Sequence, residues 1–148
     1  MPALIKLLHL LAAIAWLGGI SFMLLALRPA ATALLALPQR LPLMAQVMQR
    51  FFALVWASIA ALLLTGLVML LGAGMKQAPL GWHLMLGLGL LMIAIFGHLY
   101  FGPFRRLKLA IQTGNWPEGG RCMGQIAPLA EINLGLGVLA IAAISFAI

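Results

Sequence analysis

The sequence predicts an all-α integral membrane protein, a four-helix transmembrane bundle, on three observations. Of 148 residues, 65% are hydrophobic and 7% are charged, where a soluble domain carries about 25% charged residues. The mean hydropathy is +1.15. The apolar residues gather into four runs, each close to the roughly 20 residues a helix needs to cross a hydrocarbon core. They fill the chain as a single transmembrane domain over residues 1–148, with spans at about 4–27, 51–73, 80–101 and 125–148.

Span one belongs to an apolar stretch from Ala3 to Leu27, longer than the 7–15 residue core of a cleaved signal peptide. The Arg28-Pro29 pair is expected to end it, because proline cannot continue a helix interior. Two more prolines, Pro38 and Pro42, follow before residues 43–50, which read as a short interfacial helix leading into span two. Gly72, Gly74 and Pro79 punctuate the next turn, and Gly102-Pro103 closes span three. Asn115-Trp116-Pro117-Glu118-Gly119-Gly120 reads as a loop before span four. Trp56, Trp82 and Trp116 read as interfacial anchors, and Cys122 as a loop thiol.

The formal net charge of +7 does not point to nucleic acid, because the basic residues cap hydrophobic runs instead of covering a soluble face. The loop after span one holds Arg28, Arg40 and Arg50, and the loop after span three holds Arg105, Arg106, Lys108 and Arg121. Only Lys6 and Lys76 stand on the opposite side. The positive-inside rule then puts both arginine-rich loops in the cytoplasm and both termini on the outer, periplasmic side. A single cysteine excludes an internal disulfide and a cysteine-pair metal site. No phosphate-binding glycine loop, soluble acidic pair or nucleophile beside a base is present, so hydrolase and nucleotide chemistry find no support.

Three histidines mark where function is expected, since an ionisable side chain at membrane depth is costly to keep. With this topology His9 and His83 reach a similar outer level on spans one and three, and His98 lies about 22 Å deeper at 1.5 Å per residue. Lys6, His9 and Trp16 share one stripe of span one, Trp16 either flanking a bound group or packing the bundle. His83, Gly87, Ala94 and His98 share a small-residue face of span three. Ser58 and Thr65 lie seven residues apart on span two, where such hydroxyls commonly bond their own helix backbone.

Two ligands fit this outer level. Copper as Cu(I) takes imidazole and thioether donors, which gives a site of His9, His83 and Met75, with Met69 near by. Met85 and Met92 lie opposite His83 and outside its ligand sphere. A non-covalent haem b would take His9 and His83 as axial ligands, with Gly87 admitting the macrocycle and Lys6 and Lys76 meeting its propionates. In that case the protein would be a haem-dependent oxidoreductase; otherwise no enzymatic activity is expected. A third reading is a non-catalytic assembly subunit whose glycines serve helix packing, and glycine-bearing faces also suit a homodimer. His98, Glu131 and Asn133 form a candidate second, inner site, as a proton relay or a copper exit.

The opening Lys6-Leu-Leu-His9-Leu-Leu-Ala-Ala-Ile-Ala-Trp16-Leu-Gly18-Gly19 resembles the first span of the CopD-like membrane proteins, the copper resistance protein D group. Gly81-Trp82-His83 through His98, with Phe101-Gly102-Pro103, looks like the third span of its short four-helix members. The resemblance covers most of the chain, and its most diagnostic part is the His…Trp-x-Gly-Gly pattern. It implies copper binding, uptake or delivery in a bacterial inner membrane, with His9 as the best-matched residue. The HemJ-type four-helix proteins resemble it more distantly. Members of that group carry a lysine after Gly-Trp in the third span, where this chain has His83-Leu84-Met85-Leu86.

Overall fold

The computed structural model describes residues 3–146, so Met1 and the end of the expected span 125–148 lie outside the described residues. All regular elements among these residues are helical. Helix α1 (Ala3–Phe22) runs through a π-helical turn at Met23–Leu27 into α2 (Arg28–Leu34). Then follow α3 (Leu37–Ala73), α4 (Leu80–Phe101), α5 (Pro103–Gln112) and α6 (Trp116–Ser145). Four helical segments are long and apolar enough to cross a membrane: Ala3–Leu34, Leu37–Ala73, Leu80–Gln112 and Trp116–Ser145. Their outward faces are apolar, with Ile14, Leu25, Leu64 and Leu71 all more than 60% exposed, as a surface solvated by lipid requires.

The prolines do not stop helices where the sequence suggested. Pro29 has no N–H to offer the preceding turn, and the chain accommodates it by widening: the Arg28 N–H bonds the Met23 carbonyl five residues back. Pro29 then occupies the first turn of α2, where a missing N–H is harmless. Residues 43–50 are not a separate interfacial helix. They are continuous with span two in α3, whose 37 residues reach about 55 Å at 1.5 Å per residue, well beyond a hydrocarbon core of about 30 Å. Leu80–Phe101 matches the expected third span.

Residues 115–120 are the start of α6 and not a loop. The Asn115 side chain accepts the Glu118 N–H at 3.4 Å and Pro117 sits in the first turn, so the apparent loop signal is a helix N-cap. Cys122 is consequently a fully buried helical residue. The basic segment after Gly102 folds as the amphipathic α5, with Phe104 and Leu107 buried and Arg105 and Arg106 exposed.

Helix α1 packs chiefly on α3, and α4 on α6, which α5 also flanks. Glycines set the closest approaches. A Cβ at Gly19 would collide with the Phe51 ring, and one at Gly137 with the Leu17 side chain, fixing α1 against α3 and α6. An aromatic layer joins the two pairs: Phe96 of α4 contacts Trp16, Phe52 and Trp56 edge-on at centroid distances of 6.3, 5.2 and 5.0 Å. Trp56, half-buried, packs against this layer.

Candidate functional site

The helix pairs leave a cavity of about 330 Å³ between them, bounded by α1, α3, α4 and α6. Each helix contributes one stripe. From α1 come Lys6, His9, Ala13 and Trp16, at helical spacings of three, four and three residues. From α4 come Trp82, Met85, Gly89 and Met92, and from α3 Gly66 and Met69. The walls are otherwise apolar, so His9 is the one imidazole among the lining residues.

The orientation of that imidazole is fixed. His9 Nδ1 lies 2.8 Å from Thr65 Oγ1, and the Thr65 hydroxyl is itself 2.6 Å from the Ala61 carbonyl. The hydroxyl has a single proton, which goes to Ala61, so Thr65 accepts from the His9 Nδ1–H. Nδ1 therefore carries a proton, and in the neutral ring the lone pair is on Nε2. Gly66, one residue on, lies beside the ring: a Cβ there would meet His9 Cε1 at 3.5 Å, an ordinary contact distance. Thr65 thus makes the backbone bond anticipated for it and also holds the histidine.

The floor of the cavity is Trp16, only 3% exposed. Asn133, 2% exposed, donates from Nδ2 to the Met92 carbonyl at 3.1 Å and so ties α6 to α4 at the level of the Met92 thioether. Its Oδ1 has no partner.

Of the residues the sequence singled out, Lys6, His9 and Trp16 line this cavity, whereas His83, Gly87, Lys76 and Met75 are not among its lining residues. His83 lies about 200° around α4 from Met85 and 180° from Met92, at 100° per residue. The face turned to His9 is the methionine face, and Gly87 is exposed on the other. Bringing His83 and His9 to one ligand, as a bis-histidine haem or a copper site with Met75 requires, would need α4 to turn over. The inner trio is not assembled either. Glu131 and Asn133 are two residues apart on a helix and project to different sides, and His98 and Glu131 are both exposed. Among the described residues no three His, Cys, Asp or Glu side chains converge as a metal-binding group.

Sequence reasoning missed that Met85 and Met92 line one cavity with His9, although their seven-residue spacing marked a common face. It also missed Gly66, whose signal was its position beside Thr65.

A family model described as CopD, copper resistance protein D, matches residues 45–147. The chain belongs to this family. The resemblance read from its first and third spans is thereby confirmed at family level, and the protein is a multi-pass membrane protein related to copper resistance. The matched region of this CopD-family chain contains α4, α5, α6 and most of α3, and begins after His9. No curated protein and no solved structure matches the chain.

Proposed function

We propose that this CopD-family protein takes up copper as Cu(I) in the cavity between its helix pairs, with His9 Nε2 as the nitrogen donor and Met69, Met85 and Met92 as the source of thioether donors. The observation that carries the reading is the His9–Thr65 bond, which engages Nδ1 and leaves Nε2 as the available nitrogen of a ring that lines the methionine-bearing cavity. Cu(I) is soft and pairs with imidazole and thioether ligands, whereas harder divalent ions need carboxylates or several nitrogens. A neutral donor set also keeps the charge carried into the bilayer at one unit, which limits the cost of a buried ion.

The orientation follows from the basic loops. The positive-inside rule supports a bacterial inner membrane setting with both termini outside and the His9 cavity towards the outer face. Lys6, exposed at this end, stands where copper would arrive. In this reading Cu(I) enters from the outer side, displaces no proton because the imidazole is neutral, and remains Cu(I) throughout.

X-ray absorption at the copper edge, on protein loaded anaerobically with Cu(I), tests the donor set. The expected first shell mixes sulfur with one imidazole nitrogen. A shell of nitrogen and oxygen alone would overturn the assignment. A second expectation concerns Thr65→Val, which keeps the shape of the side chain but removes the acceptor that fixes the ring. Competition titration against a colorimetric Cu(I) chelator should show affinity lower by roughly 10–100-fold, the usual scale for losing a group that orients a metal-ligating histidine.

A further inference from the structure

Beneath Trp16 lies a second, smaller cavity of about 40 Å³, on the side of the bundle that carries Arg28. Its lining includes Met23 of the π-helical turn, Met44 and Met48 of α3, and Met123 of α6. Four of the nine methionines in the sequence thus meet here, and three others line the His9 cavity. Trp16 belongs to both linings, and Met92 of the upper lining is hydrogen-bonded through its carbonyl to Asn133 of the lower one.

We propose that this methionine-lined cavity is a second Cu(I) site, the inner station of a path that begins at His9. The proposal rests on the reading of the upper cavity as a copper site and extends it from binding to passage. Methionine ordinarily fills gaps in a core, and four filling methionines should leave none. Here they surround a void. Its volume exceeds the roughly 10–15 Å³ needed to hold one water and suits a single small ion, not an organic ligand.

The second observation is Asn133. Its side chain is 2% exposed and its Oδ1 has no hydrogen-bond partner, a costly state for a buried polar atom. Turning the amide over would set that oxygen against the Met92 carbonyl, so the orphan atom is the acceptor. An acceptor without a donor is satisfied by a water or by a cation, and among cations the thioether lining selects a soft one. Met44 and Met48, one helical turn apart and 2% and 0% exposed, present neutral sulfur from one face of α3.

Arg28, half-buried in the same lining, gives the site its direction. It forms no ion pair among the described residues. A fixed guanidinium charge beside neutral thioethers raises the potential for any cation and disfavours long residence. The inner station therefore holds copper more loosely than the His9 site, and the arginine-rich end is where copper leaves. The metal keeps its oxidation state, so no reductant is required.

The test compares wild-type protein with the M44L/M48L double variant, in which leucine conserves volume and removes both sulfurs. Cu(I) is titrated in detergent, and Cu(I) uptake is followed into proteoliposomes holding a fluorescent Cu(I) chelator. The expected result is loss of one equivalent of bound copper and a fall in uptake of roughly 10–100-fold, with the His9-dependent equivalent unchanged. M23L/M123L, which removes sulfurs from the other two elements, should repeat this and keeps the test standing should the first variant not fold. Uptake and copper content equal to wild type in both pairs would overturn the inner station alone. Copper that survives His9→Ala but vanishes with either methionine pair would overturn the reading of the upper cavity and leave the lower site standing.

Discussion

Replacing His9 with alanine is expected to lower Cu(I) affinity at the upper cavity by more than about 100-fold, beyond the loss typical of a merely supporting group. The ring is the only imidazole among the lining residues, and the thioethers that remain are weaker donors without it. Folding should survive the change. His9 is half-buried and its one hydrogen bond runs to Thr65, which keeps its bond to the Ala61 carbonyl when the ring is gone. No buried donor is orphaned. His83→Ala is the matching control, because His83 stands on the far face of α4 from Met85 and Met92. Competition titration of both variants decides the matter: undiminished affinity in His9→Ala, or equal losses in the two, would remove His9 from the site.

Trp16→Ala is expected to be the most destabilising single change in the bundle interior, at about 3–5 kcal/mol, the range for emptying a buried aromatic position. The indole is 3% exposed, meets Phe96 edge-on and separates the two cavities. In a bilayer the cost does not come from exposing apolar surface to water, since lipid is as apolar as the interior. It comes from lost packing contacts across α1, α4 and α6, which hold transmembrane helices together. Unfolding in mixed micelles measures it, and a loss below about 1 kcal/mol would show that Trp16 is not a packed wall. Trp16→Phe, which keeps an edge-on partner for Phe96, should recover part of the difference.

The two histidines mark how far a linear reading reaches. His9 and His83 were matched in depth from helical rise, which converts residue number into height whatever the helix packs against. Their faces were not legible. Helix α4 is almost equally apolar all round, so periodicity gives no sign of which side turns inward, and the glycine-bearing His83 side was as eligible as the methionine side. The pairing of α4 with α6 settles it. Proline misled for a related reason: Pro29 was read as a stop, whereas a π turn absorbs its missing N–H, and the run 115–120 was read as a loop, whereas Asn115 caps a helix there. Cys122 and Glu118 were placed in a loop for the same cause.

What the sequence determined by itself is the solvent and the count: the chain lives in lipid and crosses it with four helices, because apolar run length is set along the chain and needs no partner. It also carried the copper-resistance family in its residues. What only the tertiary structure decided is which donors meet. A helix offers every residue type to some direction, and two glycine contacts, Gly19 against Phe51 and Gly137 against Leu17, fix the rotation and spacing of α1 among its neighbours. That rotation lays His9 on Thr65 and turns it towards methionines contributed by other helices, a coincidence in space that no separation along the chain encodes.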